Sequence, residues 1–259
     1  MRGRRPAGHA VFAGRPPLSV RKRGGGHAGG DAGARGLTVK VKKAKKLKPS
    51  SVRWLQRQLN DPFVEAAQKE GYRSRAAYKL TGLDDRFHLL RPGMAVLDLG
   101  AAPGGWTQVA VQRTKADRPG TKSRIVAIDL QEIEPIPGAE ILHLDFMADE
   151  APGILREKLG RPADAVLSDM APFTIGHANT DHLRIMGLVE AALDFAIQVL
   201  APDGVFVAKV FQGGAEGEAL NLMKRAFKSV RHAKPPASRA ESAEMFVVAT
   251  GFRGLSSER

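Results

Sequence analysis

The chain has 259 residues, 43% of them apolar, a formal net charge of +13 and no cysteine. Such a length holds one large domain or two small ones. The missing thiols exclude disulfides, thiolate metal sites and cysteine nucleophiles, and no apolar run reaches the length of a membrane span.

The charge is concentrated at one end. Residues 1–48 hold 14 Lys or Arg against the single acid Asp31, and the remaining 211 residues carry 26 basic and 26 acidic groups. That first segment contains "RKRGGGHAGG" and "VKVKKAKKLK" and has little to bury, so a disordered basic tail is expected over 1–48. Tails of this composition meet phosphate backbones through salt-sensitive, sequence-independent contacts. A nucleic acid is therefore the expected partner, with a purely solubilising tail as the alternative. An Arg-rich, acid-poor start also admits a mitochondrial presequence; ten glycines and one serine (Ser19) before residue 49 argue against it, leaving a cytoplasmic protein as the expectation.

A folded domain is expected over 49–259, opening with helices across 50–90. Trp54, Leu55, Leu59, Val64 and Ala67 show patchy helical spacing, broken at Asn60-Asp61-Pro62. A further helix is expected from Ser74, whose hydroxyl would cap the amides of "RAAYKL". After Arg91-Pro92-Gly93 short apolar runs alternate with helical stretches. The runs are "MAVLDL" (94–99), "RIVAIDL" (124–130), "EILHLD" (140–145), "DAVLSD" (164–169), "GVFVAKVF" (204–211), "SVRHAK" (229–234) and "EMFVVATGF" (244–252). The first four are continuously apolar, as for strands covered on both faces. Strand and helix in alternation predict a doubly wound α/β domain built on a mostly parallel sheet, whose ligands bind at the carboxyl ends of the strands.

Between the first run and the next helix stands "DLGAAPGGWTQ" (98–108), a glycine turn that lets main chain approach a ligand closely. Asp98, Asp129, Asp145 and Asp169 each fall at or near the carboxyl end of a different run, which points to one cleft holding a polar ligand. A carboxylate ending the second strand suits a ribose diol. The spacing "GAAPGG" is not the dinucleotide pattern G-x-G-x-x-G, and no phosphate-cradling G-x-x-x-x-G-K-[ST] loop occurs. S-adenosylmethionine fits better, because its sulfonium and amine are cationic.

"YRSRAAYKL", "DLGAAPGGWTQ", "SDMAP", "VAKVFQG" and "SRAESAEMFVVATGF", in that order across residues 48–253, resemble the motifs of the RrmJ/FtsJ (RlmE) family of ribosomal RNA ribose 2′-O-methyltransferases. The resemblance implies a Rossmann-like class I S-adenosylmethionine-dependent methyltransferase with a seven-stranded sheet and helices on both faces. It implies a catalytic Lys-Asp-Lys-Glu set, which falls on Lys79, Asp169, Lys209 and Glu244. It implies cofactor contacts at Gly104, Trp106, Asp129, Asp145 and Asp169, with Asp129 on the cofactor ribose and Asp145 near the adenine. The implied substrate is a uridine of large-subunit ribosomal RNA, met on the assembled 50S particle, and the implied product is S-adenosylhomocysteine.

The residues themselves agree with parts of this. Lys209 interrupts the apolar strand "VFVAKVF", and lysine is almost never buried without a partner. A 2′-hydroxyl needs its proton removed as it attacks, and Lys209 is the expected acceptor. Lys79 and a dry pocket would favour its neutral form, while Asp169 and Glu244 would oppose that; a charged Lys209 would instead orient the hydroxyl. Trp106 has a second reading as core packing. RNA affinity is expected from the tail, from Arg73 and Arg75, and from Lys234 and Arg239. His177 and His182, spaced by five with Asp181 between them, suggest a metal pair but have no evident third ligand, so no metal is expected. A monomer is expected. The alternatives are methylation of another RNA, such as tRNA or a cap, and a non-catalytic ribosome-assembly factor.

Overall fold

The structure, a computed structural model, describes residues 49–171, 178–211 and 217–254; the expected tail over 1–48 and His177 lie outside them. The chain divides into two units, Met1–Pro62 and Phe63–Arg259. In the first, helix α1 (Pro49–Leu59) is closed by the Asn60 amide donating to the Gln56 carbonyl at 2.6 Å.

The second unit contains all but the first residue of α2 (Pro62–Glu70), then α3 (Ala77–Phe87), β1 (Ala95–Leu99), α4 (Gly105–Thr114), β2 (Arg124–Asp129), β3 (Glu140–His143), α5 (Ala151–Leu159) and β4 (Ala163–Ser168). It continues with α6 (Ala178–Val199), β5 (Leu200–Phe211), α7 (Gly217–Ala226), β6 (Phe227–Ala233) and β7 (Glu244–Phe252). The strands form one sheet in the order β3-β2-β1-β4-β5-β7-β6. All neighbours pair in parallel except β7, which runs against both β5 and β6. Each of the seven runs read from the sequence contributes one strand.

Residues that alternate along a strand point to opposite faces, and two cores result. Ala95, Leu97 and Leu99 of β1 and Phe206, Ala208 and Val210 of β5 pack with α5, α6 and α7. Val96 of β1, Leu167 of β4, Val207 of β5 and Phe246 of β7 pack with α3 and α4. This same alternation decides which polar residues reach the site, because Lys209, Asp169 and Glu244 each stand two positions from a residue of the second core.

One local expectation is corrected. Ser74 does not cap α3: the helix begins three residues later with no side-chain cap, and the buried Ser74 hydroxyl has no hydrogen-bond partner. The turn is closed by main chain instead, Ala77 N donating to Ser74 O at 3.2 Å and Lys79 N to Ala76 O at 2.9 Å. Ser74 packs against the start of α4, where a Cβ on Gly105 would lie 2.6 Å from its oxygen.

Candidate active site

Successive strands leave β1 in opposite directions, β2 on one side and β4 on the other, and such a switch point opens a crevice at the strands' carboxyl ends. Leu99 ends β1, and Gly100 turns the chain with φ +75°. A Cβ there would meet Met170 main chain at 2.8 and 2.9 Å, so only glycine lets the two strand ends lie this close.

The crevice is a cavity of about 670 Å³ whose walls include Gly100, Ala102, Asp129, Asp145, Asp169 and Arg184. That volume suits a nucleoside-sized ligand. Asp129 is fixed at both oxygens: Oδ2 accepts from Ala102 N at 2.9 Å and Oδ1 from Gln131 N at 2.8 Å. Each oxygen keeps a second lone pair for a ligand hydroxyl. Asp145 is exposed and accepts from Met147 N at 2.9 Å.

Three of the four strand-end aspartates therefore share the cleft, and Asp98 does not. It lies on the α4 face of β1, fully buried, where it accepts the Thr107 hydroxyl at 2.6 Å. Burial, with Asp169 and Asp129 adding to it against the Thr107 hydrogen bond, pushes its carboxyl up to about 7. Gly104 and Trp106 are not in the cavity wall either. The Trp106 side chain is a core group, 2% exposed, with its indole N–H on Ala76 O at 2.9 Å and its ring 5.5 Å from that of Phe246. Stacking on a ligand is excluded for it in this arrangement.

At Asp169 the cavity meets a cluster of four charged side chains. Lys209 Nζ donates to the main-chain oxygen of Asp169 at 2.6 Å and stands 3.0 Å from Asp169 Oδ1, without a hydrogen bond to that oxygen. Lys79 Nζ lies 3.9 Å from Asp169 Oδ2 and donates to Glu244 Oε2 at 2.6 Å. The other Glu244 oxygen accepts the Ser238 hydroxyl at 2.7 Å. Lys79 and Lys209 are both 9% exposed. Two ammonium and two carboxylate groups thus balance within one nearly dry site, as buried charges require. The structure brings Lys79, Asp169, Lys209 and Glu244 together and adds Ser238, which no spacing in the sequence singled out. Arg184 was also missed; it sits in α6 in an otherwise ordinary helical pattern.

Burial raises the Glu244 carboxyl, but Lys79, Ser238 and Lys209 outweigh it, and the group lies below its usual value of 4.5. A carboxylate depressed by folding stabilises the native state above its unfolded value, and this stabilisation fades as pH falls through the folded value. The melting-temperature gap between wild type and Glu244→Gln should be constant at neutral pH and narrow below about 4.5, as scanning calorimetry would show. A gap unchanged down to the acid limit would contradict the Lys79–Glu244 pairing.

The basic residues expected to hold RNA are largely engaged within the chain. Arg73 donates to Glu134 O at 2.6 Å, Pro135 O at 2.9 Å and Pro103 O at 3.3 Å, so it ties the glycine turn to the chain after β2. Arg75 donates to Ala237 O, and Lys234 donates to Ala240 O at 3.0 Å and Ser242 O at 2.7 Å. Both hold the segment that carries Ser238 and leads into Glu244. Arg239 is intermediate in exposure. Among the described residues no group of three or more His, Asp or Glu is placed to hold a metal, and no helix is long and apolar enough to cross a membrane.

A family model described as FtsJ-like methyltransferase matches residues 72–252. The chain is 61% identical over 236 residues to the ribosomal RNA large subunit methyltransferase E of Paramagnetospirillum magneticum, covering 91% of this chain and 96% of that protein. It is 57% identical over 233 residues to the protein of the same name from Parvibaculum lavamentivorans, covering 88% and 92%. Among solved structures, a candidate ribosomal RNA methyltransferase of Plasmodium falciparum matches with a TM-score of 0.61 at 31% identity, covering 71% of this chain and 100% of that one.

Proposed function

The chain belongs to the FtsJ-like methyltransferase family, and from that premise we propose that it methylates the 2′-hydroxyl of a uridine in large-subunit ribosomal RNA. The methyl donor is S-adenosylmethionine. The observation that carries the reading is the position of Asp169, which is both a wall of the cavity and the neighbour of Lys209 and Lys79. A donor in the cavity and an acceptor at the lysines meet at that residue.

The residues present fit the donor. Gly100, where a Cβ would strike Met170, leaves room for close main-chain approach; Asp129 would hold the ribose hydroxyls and Asp145 the adenine end, while Gly104 and Trp106 would contribute through the shape of the turn. Bound there, S-adenosylmethionine supplies an electrophilic methyl group. Once its resting ammonium has given up a proton to water, Lys209 Nζ accepts the proton of the attacking hydroxyl as the oxygen–methyl bond forms and the sulfur–methyl bond breaks. Asp169 fixes that amine through its main-chain oxygen, Lys79 and Glu244 hold the opposite side of the hydroxyl, and the closed site aligns acceptor and methyl for in-line transfer.

The substrate follows from the relatives, both named for large-subunit ribosomal RNA, and from the charge of residues 1–48. The enzyme is read as a cytoplasmic monomer acting on the assembled 50S particle. Incubating it with tritiated S-adenosylmethionine and either 50S subunits or naked rRNA, both from cells lacking this activity, tests that reading. Label should enter the 50S subunits. Label in tRNA or capped RNA alone would move the substrate to another class, and no label despite cofactor binding would favour an assembly factor without catalysis.

A further inference from the structure

The body of the chain is electrically neutral, with 26 groups of each sign over residues 49–259, yet its charges are sorted. Acids gather at the carboxyl ends of the strands. At the opposite, amino-terminal edge of the sheet three loops converge on Gly93. Gly93 N donates to Thr114 O at 3.2 Å and to Ser123 Oγ at 3.0 Å, Arg124 N donates to Met94 O at 3.1 Å, and the Arg161 guanidinium donates to Gly93 O at 2.6 Å. These bonds place Arg91, Lys115, Arg118, Lys122 and Arg161 on one surface, all five exposed.

The acids facing this surface are few and mostly occupied. Asp164 pairs with Arg161 at 3.1 Å and also accepts Ala95 N. Asp203, which Arg91 faces, pairs with Lys228; Asp84 and Asp85 pair with Arg113. Glu140, at the start of β3, pairs with Arg124 and Lys158, and among the described residues Asp117 and Glu157 are exposed acids left beside the cations. Among the described residues Arg91, Lys115, Arg118 and Lys122 make no side-chain ion pair of their own.

The arginines are also presented on stiff turns. Arg-Pro-Gly occurs at 91–93 and again at 118–120, and Gly160-Arg161-Pro162 makes the third. Gly93, Gly120 and Gly160 have φ of +90°, +72° and +69°, the left-handed values that glycine provides, and each follows or precedes a proline-restricted residue. A cation on such a turn loses less conformational freedom on binding.

We propose that this amino-edge surface is a second RNA-binding face, which grips the phosphate backbone of a segment other than the one entering the methyl-transfer cleft. The inference rests on the ribosomal RNA reading above. β1 is five residues long, so the two faces are about 16 Å apart along the strand direction alone, too far for one strand to be held at both by a single nucleotide. A folded RNA, with helices on several sides of a bound protein, offers both contacts at once. Planar guanidinium groups set among lysines match the forked oxygens of a phosphate, and the ribosomal RNA reading supplies phosphates as the partner.

The test is Arg91→Glu/Arg118→Glu/Lys122→Glu in the full chain. With 50S subunits as substrate, KM should rise tenfold or more with kcat within about twofold of wild type. The slope of log(kcat/KM) against log salt should become shallower by about 2 to 3, because each phosphate that is no longer neutralised takes ~0.9 from that slope. Unchanged KM and slope would overturn the proposal. A KM effect on 50S subunits that vanishes on protein-free rRNA would overturn it too, since the partner would then be a ribosomal protein. If wild type methylates no large-subunit RNA, the functional reading has failed separately; binding to a duplex RNA then decides, weaker and less salt-dependent binding by the triple variant supporting the face and equal binding excluding it.

Discussion

Replacing Lys209 by alanine is expected to lower methyl transfer by about 10²- to 10⁴-fold, the range contributed by a positioned proton acceptor, while S-adenosylmethionine still binds. The separation follows from the geometry. Asp129 and Asp145 line the cavity away from Lys209, whereas Lys209 meets the cavity through Asp169 alone. The substitution will also cost stability. It removes an ammonium 3.0 Å from Asp169 Oδ1 and leaves that carboxylate with Lys79 at 3.9 Å. Breaking a buried pair costs about 3–5 kcal/mol; with these side chains 10% and 16% exposed, about 3 kcal/mol is the appropriate end of that range. Lys209→Met keeps the aliphatic stem that packs in the strand and should be equally inactive. A variant transferring methyl groups within tenfold of the wild-type rate, measured at saturating RNA, would remove Lys209 from the reaction.

The second large effect is expected at Gly100. In Gly100→Ala the new methyl group meets Met170 Cγ at 2.6 Å, which a side chain can relieve, but also Met170 Cα and N at 2.8 and 2.9 Å, which it cannot. The strand ends must separate where Asp169 N donates to Leu99 O at 3.2 Å, so the damage reaches Asp169. The left-handed φ of +75° adds about 1–2 kcal/mol for any side chain, and overpacking adds about 1–3 kcal/mol. Together these correspond to a fall in melting temperature of roughly 4–20 °C for a domain of this size, with cofactor affinity reduced at least tenfold. Gly120→Ala is the internal reference: its φ is +72°, yet nothing lies within 4 Å of the added carbon. It should show the backbone cost alone and keep cofactor binding. Equal losses from the two variants would mean that the Gly100–Met170 approach does not shape the cavity.

Much of the fold was legible because its signal is local. Continuous apolar runs separated by helical ones specify buried parallel strands, and the acids that end them mark the carboxyl edge. Lys209 could be singled out because a lysine inside "VFVAKVF" contradicts its surroundings. The remainder depended on partners distant in sequence. Asp98 looks like its fellow strand-end acids, and only its facing Thr107 turns it into a buried group. Trp106 was ambiguous for the same reason, since Ala76 and Phe246 supply its partners from thirty residues before and well over a hundred after. Arg73 and Arg75 read as RNA contacts because a basic side chain carries no sequence mark of the carbonyl it will reach. Ser238 opens "SRAESAEMFVVATGF", but nothing in that stretch marks it as the partner of Glu244. Arg91-Pro92-Gly93 was legible as a break, but its adjacency to the second Arg-Pro-Gly at 118–120 arises from the pairing of β1 with β2.

If the Lys79, Asp169, Lys209 and Glu244 cluster delivers the cavity's methyl group to a ribose oxygen, the most direct measurement is the chemical position of that group. RNA methylated by the wild-type protein would be digested to nucleosides and analysed by mass spectrometry, with alkaline hydrolysis in parallel. The expected result is added mass on ribose, an alkali-resistant dinucleotide at a uridine, and loss of both with Lys209→Ala. A methyl group on a base, with every linkage still cleaved by alkali, would contradict it.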